Sequence, residues 1–213
     1  MSRLRIGTRG SKLALTQTEL VAERLRAAHP GLAIEVVTIA TAGDRDQSTP
    51  LSSGEGAGWF TTAIQQALSA GGIDVAIHSY KDLPTRRPEG LVIAAVPLRE
   101  DPRDALVSRL PGGLHGLPAG AVVGTSSPRR EAQVREVRPD LEVRAIRGNV
   151  ETRVAKVDAG EFDATVLALA GLRRLGIEGR AGHVFGFEEM LPAPAQGALA
   201  VECRAGDPGT RTL

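Results

Sequence analysis

The 213-residue chain is poor in aromatic side chains: one tryptophan, one tyrosine and four phenylalanines. Nucleic-acid surfaces combine a basic excess with stacking rings. A net charge of +1 and 3% aromatic content supply neither, so no nucleic-acid partner is expected. Cysteine occurs once, at Cys203, which excludes an intrachain disulfide and fits a reducing compartment. The four histidines, His29, His78, His115 and His183, have no metal-ligand spacing, and a single cysteine cannot build a zinc site. No apolar run approaches the ~20 residues that span a bilayer. The start, MSRLRIGTRG, has no apolar signal core. A cytoplasmic protein without a membrane partner is therefore expected. There is no Gly-Lys-Ser/Thr phosphate loop and no Gly-x-Ser-x-Gly elbow, which weakens kinase and hydrolase readings. Lysine is rare too. Of 26 basic residues only Lys12, Lys81 and Lys156 are lysines, a bias that GC-rich coding explains and that makes Lys81 conspicuous.

What the chain does have is a balanced globular composition, 42% hydrophobic and 24% charged, at a length suiting one large domain or two ordinary ones. The runs LRIGT, LAIEVVTIA, IDVAIHS, LVIAAVPL, AVVGTSS, LEVRAIR, FDATVLALA and ALAVEC are short and rich in β-branched residues, as buried strands are. Helical patterns lie between them at 12–28, 59–70, 128–137, 150–159 and 172–175. Alternating strand and helix makes the fold α/β. Two proline-rich stretches, PLREDPRD and MLPAPAQG, bracket about half the chain. They predict an inserted second domain, with the strand ALAVEC returning to the first. The glycines of SSGEGAGW predict a mobile loop.

Charge placement suggests chemistry. In GTSSPRR a strand end runs into a helix that has a hydroxyl cap, Ser127, and Pro128 at its first position. Arg129 and Arg130 then stand in the first turn, where a cation is unfavourable by about 0.3–1 kcal/mol at an exposed site. An anion is expected beside them. TRGS repeats the device with Arg9 and Ser11, and Arg147 and Arg153 flank another strand-to-helix turn. Any one of these arginines could be merely solvated. Four of them, Arg129, Arg130, Arg147 and Arg153, in equivalent places suit a multiply anionic ligand, carboxylate or phosphate, because guanidinium forks match both. In HSYKDLP, His78 to Asp82 end a strand, where open α/β sheets place ligands. Lys81 and Asp82 read there equally as a surface ion pair and as site residues.

Taken in order, IGTRGSKLALTQ, HSYKDLP, REDPRDALVS, PAGAVVGTSSPRR, RPDLEVRAIRGNVETR, LALAGLRRLG and LPAPAQGALAVECR span nearly the whole chain. In these motifs the sequence resembles the porphobilinogen deaminases, or hydroxymethylbilane synthases, transferases of tetrapyrrole (porphyrin, haem) biosynthesis. The resemblance implies two periplasmic-binding-protein-like (type II) α/β domains with mixed sheets flanked by helices, joined by a double-crossover hinge beside a cleft. Domain 1 would be 1–97 plus 195–213, and domain 2 would be 98–194. It implies condensation of four porphobilinogen molecules into linear hydroxymethylbilane with loss of ammonia, by a monomer. Asp82, with Lys81 beside it, matches the catalytic position. A carboxylate there can stabilise positive charge on pyrrole nitrogen and help move protons. Each pyrrole carries an acetate and a propionate. The implied binding set for these and for a dipyrromethane cofactor is Arg9, Ser11, Lys81, Thr125, Ser126, Ser127, Arg129, Arg130, Arg147, Gly148, Arg153 and Gln196, with Arg129 and Arg130 facing Asp82 across the cleft.

Two departures from the family pattern are visible. The family tethers its cofactor through a cysteine of a third domain, and no such segment precedes Leu213. Cys203 matches a returning strand instead, where a buried structural thiol is expected, so the third domain is expected to be separate or missing. The loop GEGAGWF has Ala57 where relatives carry lysine, and keeps Phe60. The alternative reading is a non-enzymatic oligopyrrole or polycarboxylate binding module. An exported solute-binding protein is disfavoured by the absent signal segment.

Overall fold

The computed structural model describes residues 3–41 and 61–213. These form two compact units, one from 3–41, 61–99 and 198–213, the other from 100–197. Unit 1 begins with β1 (Arg3–Thr8), α1 (Lys12–Ala28) and β2 (Ala33–Thr38), then α2 (Thr62–Ser69), β3 (Val75–Ser79), a 3-10 turn over Tyr80–Asp82, and β4 (Leu91–Ala95). Unit 2 runs β5 (Asp104–Ser108), β6 (Val122–Gly124), α3 (Pro128–Val137), β7 (Glu142–Arg144), α4 (Val150–Asp158), β8 (Ala164–Ala168), α5 (Leu169–Arg174) and β9 (His183–Val184). The chain re-enters unit 1 as β10 (Leu199–Arg204) and α6 (Pro208–Arg211).

The two sheets follow one plan. In unit 1 the order is β2-β1-β3-β10-β4, and in unit 2 it is β7-β6-β8-β5-β9. β1 is parallel to β2 and β3, and β6 to β7 and β8. The fourth strand of each sheet, β10 or β5, is antiparallel to both neighbours.

Alternation along the strands sends side chains to opposite faces. Leu4, Ile6, Val75 and Ile77 meet Val21 and Ala22 of α1, while Ala76 meets Ile64 and Leu68 of α2 on the other face. Unit 2 repeats this, with Leu106 and Val166 packed with Val134 of α3, and Ala105 and Val107 packed with Val154 of α4 and Leu169 and Leu172 of α5. Each fully buried Leu or Ile contributes about 1.5–3 kcal/mol. These helix-covered faces hold the sheets rigid beneath the loops at their ends.

Sequence and structure differ at several element ends. The helix expected at 172–175 spans Leu169–Arg174, because its first turn takes up the end of the apolar run FDATVLALA directly after β8. LEVRAIR is a strand only over Glu142–Arg144: the Ser126 hydroxyl donates to the Ile146 carbonyl (2.7 Å) and accepts from the Ile146 amide (3.1 Å), removing that backbone from the ladder. Arg147 therefore lies in a loop, not at a strand end. The helix expected at 59–70 covers Thr62–Ser69, and the expected mobile loop, Ala57 and Phe60 fall outside the described residues. A strand was not expected at Asp104–Ser108, which begins on the last residue of the proline-rich stretch PLREDPRD.

Candidate functional site

Because β1 and β3 are parallel, the segments that follow them emerge at one edge of the unit 1 sheet. Arg9, half-buried, and Ser11 follow β1 there; the Ser11 hydroxyl caps α1, accepting from the Ala14 amide at 3.3 Å. Lys81 and Asp82 follow β3 in the 3-10 turn, closed by a bond from the Leu83 amide to the Tyr80 carbonyl (3.2 Å). Gln17 of α1 and Ser79 of β3 join the two segments at 3.1 Å. Asp82 is exposed, and its carboxylate accepts no hydrogen bond from the described residues. It stays available to a ligand. His78, by contrast, is a core group: its Nε2 is 3.0 Å from the buried Glu202 carboxylate, which also accepts from Gln65 of α2.

The corresponding edge of unit 2 carries the other candidates. Thr125 is buried, its amide donating to the Arg144 carbonyl (2.9 Å) and its hydroxyl accepting from the Ser127 amide (3.2 Å). Ser127 caps α3 as expected. Across the next turn Asn149 caps α4, accepting from the Thr152 amide at 2.9 Å. Gly148 before it has φ +108, and a Cβ there would lie 2.7 Å from Thr152 Cγ2. Its carbonyl accepts from Arg153 Nε at 2.9 Å, which pins that guanidinium. Gly148→Ala is expected to destabilise unit 2 by about 1–3 kcal/mol. Urea unfolding checks this, and an unchanged midpoint would show that the turn relaxes freely.

The partner of Arg129 and Arg130 is a protein carboxylate, Asp104, the first residue of β5. Asp104 is fully buried. Arg130 Nη2 donates to its Oδ1 at 2.7 Å and Nη1 donates to the Val166 carbonyl at 2.9 Å, on a side chain only 7% exposed. Arg129 Nη1 lies 2.8 Å from Asp104 Oδ2 and donates to the Leu191 carbonyl. Since that oxygen has no aligned donor, the Arg129–Asp104 contact is a charge contact. Gln133 of α3 accepts from the Leu191 amide (2.6 Å), fixing that carbonyl. Gln196 Nε2 donates to Asp104 Oδ1 (2.9 Å) and to the Pro102 carbonyl (2.7 Å). Burial by itself would raise the Asp104 carboxyl, but the Arg130 charge and hydrogen bond, then Arg129 and Gln196, hold it below the usual carboxylate range.

The arginine pair is therefore unequal. Arg130 is enclosed, with its Nε buried and without an acceptor. Arg129 keeps a quarter of its side chain exposed, and its Nε and Nη2 donate to no described residue. That edge is the one that grips a carboxylate with two parallel bonds.

Sequence reasoning missed Asp104 and Arg174. The signal for Asp104 was a carboxylate opening the apolar run DALVS, since a charge that enters a core must be paired. Arg174, at the end of α5, donates to the Gly197 carbonyl at 2.6 Å, and burial lowers its pKa from the ordinary arginine value against the opposing influence of Glu100. Cys203 is fully buried in β10, and desolvation, with Asp207 next, raises its thiol pKa. Among the described residues no helix is long and apolar enough to cross a membrane, and no group of three or more His, Cys, Asp or Glu side chains could hold a metal ion.

The two mixed sheets flanked by helices define the class of the protein: the fold is periplasmic-binding-protein-like, of type II. Similar solved structures include the methionine-binding protein MetQ (TM-score 0.60, 13% identity, over 97% of this chain and 84% of that one). Two others are a nutrient-binding protein from Burkholderia cenocepacia bound to methionine (0.59, 14%, 99% and 90%) and lipoprotein Tp32 from Treponema pallidum (0.58, 15%, 97% and 85%). Identities this low speak for the fold alone. Residues 4–212 match the family model described as porphobilinogen deaminase, dipyromethane cofactor binding domain, and the chain belongs to that family.

Proposed function

We propose that this chain acts as a hydroxymethylbilane synthase, binding dipyrromethane and porphobilinogen through their acetate and propionate groups and using Asp82 in the loss of ammonia and carbon–carbon bond formation. The observation that carries the reading, alongside family membership, is the open Nε/Nη2 edge of Arg129, held beside a buried carboxylate that has already engaged Arg130. A donor set of this kind fits a polycarboxylate. Arg129, Arg147 and Arg153 would hold cofactor carboxylates on unit 2, and Arg9 and Lys81 would do so on unit 1. When bound, a dipyrromethane supplies the pyrrole carbon from which the chain grows.

Asp82 takes the chemical role for a simple reason. An exposed carboxylate without a partner among the described residues can accept a pyrrole N–H, stabilise positive charge that develops on that nitrogen, and carry a proton away. Lys81 beside it supplies a cation for a ring carboxylate. We assign no tether to Cys203, which is enclosed in β10.

Calorimetric titration with porphobilinogen, paired with an ammonia assay, tests the proposal. Saturable binding with ammonia release is expected, and binding without release would favour the non-enzymatic module. Arg129→Ala is expected to weaken porphobilinogen binding by about tenfold or more, the loss of a charge-assisted pair worth about 1.5–3 kcal/mol per bond. Unchanged affinity would remove Arg129 from the site.

A further inference from the structure

We propose that Asp104 is a positioning residue for the ligand-binding arginines: it locks Arg130 into the core of unit 2 and holds one edge of Arg129, so that the other edge is presented to a ligand carboxylate. The inference rests on the carboxylate-binding reading above and adds a division of labour within the pair. The contacts that define the node join residues of unit 2. Arg130 has both Nη groups on protein acceptors, the Val166 carbonyl and Asp104. Arg129 has Nη1 against the Leu191 carbonyl and Asp104, and nothing described on Nε or Nη2. Gln196 donates to the carboxylate as a third partner while bonding the Pro102 carbonyl.

The idea separates from a rival by sign. A buried carboxylate that merely neutralises two cations would lower anion affinity, and removing its charge would tighten binding. A carboxylate that orients Arg129 would raise affinity, because a pre-set fork loses less freedom on binding. Asp104→Asn tests this with little change in shape. The amide oxygen can still accept from Arg130 and Gln196, while the amide nitrogen faces Arg129 Nη1 donor to donor and releases it.

Affinity would be measured by calorimetry with two probes, porphobilinogen and butanetetracarboxylate. Asp104→Asn is expected to weaken binding of both by about tenfold, as Arg129→Ala does, and to add nothing further in an Arg129→Ala background. Tighter or unchanged binding, or additive losses, would overturn the proposal. Arg129→Lys keeps the charge without the fork and gives a readout should Asp104→Asn fail to fold. It is expected to lose affinity nearly as much as Arg129→Ala, and wild-type affinity would also overturn the proposal. A wild type that binds butanetetracarboxylate but not porphobilinogen defeats the assigned substrate and leaves the Asp104 measurement readable. A wild type that binds neither defeats both.

Discussion

Asp82→Asn is expected to slow ammonia release from porphobilinogen by about 10²–10⁴-fold, while affinity for dipyrromethane changes by less than about twofold. Asparagine keeps the size and an acceptor oxygen but loses the negative charge and the ability to take a proton. Both matter only once positive charge has developed on a pyrrole nitrogen, so the loss belongs in the rate rather than in ground-state binding. The native carboxylate sits on a short 3-10 turn, exposed and unpaired among the described residues, so the substitution breaks no internal bond and should leave the melting temperature unchanged. Asp82→Glu restores the charge one methylene further out and should recover part of the rate. Single-turnover ammonia release with matched calorimetry decides the matter. A rate within tenfold of wild type would remove Asp82 from the chemistry.

The second large effect concerns stability. Arg130→Ala leaves the fully buried Asp104 with Gln196 and a charge contact to Arg129, and breaking a buried pair in this way costs about 3–5 kcal/mol. For a unit of this size, each kcal/mol lowers the melting temperature by about 4–8 °C. Arg129→Ala should cost about 1 kcal/mol or less, since that side chain is partly solvated. Differential scanning calorimetry of the two variants checks the contrast, and equal losses would mean that Asp104 depends on both arginines alike.

The pH dependence follows from the same node. The Asp104 pKa is depressed, so its contribution to stability is present above the unfolded-state value of about 3.9 and disappears as pH falls through the lower native value. Acid unfolding of the wild type should therefore carry this group's signature below about pH 4, and Asp104→Asn should flatten it.

The sequence reading succeeded where a residue's neighbours along the chain decide its structure. Ser11 and Ser127 head their helices because a short polar side chain reaches the amide three residues on, and such caps are local. The α/β alternation was visible for the same reason. Positions decided by distant partners were harder to see. The arginines of GTSSPRR called for an anion, and the nearest one is Asp104, 26 positions from Arg130 along the chain. Ser126 stops β7 early through a bond to Ile146, 20 positions away. Arg129 differs from Arg130 through its carbonyl partner, Leu191 rather than Val166, through the Asp104 oxygen it meets, and through the depth of burial. Adjacent identical residues carry no such distinction in sequence.

The place of β10 in its sheet sets an order of events during synthesis. β10 lies between β3 and β4, yet it is made after all of residues 100–197. Among the described residues unit 2 is one continuous stretch that holds every strand of its own sheet, so it can close while unit 1 still shows open edges on β3 and β4. Domains fold as units as they emerge from the ribosome, and unpaired strand edges invite aggregation. The enclosing unit is thus the late and vulnerable one, and its final strand must thread into a gap already flanked on both sides.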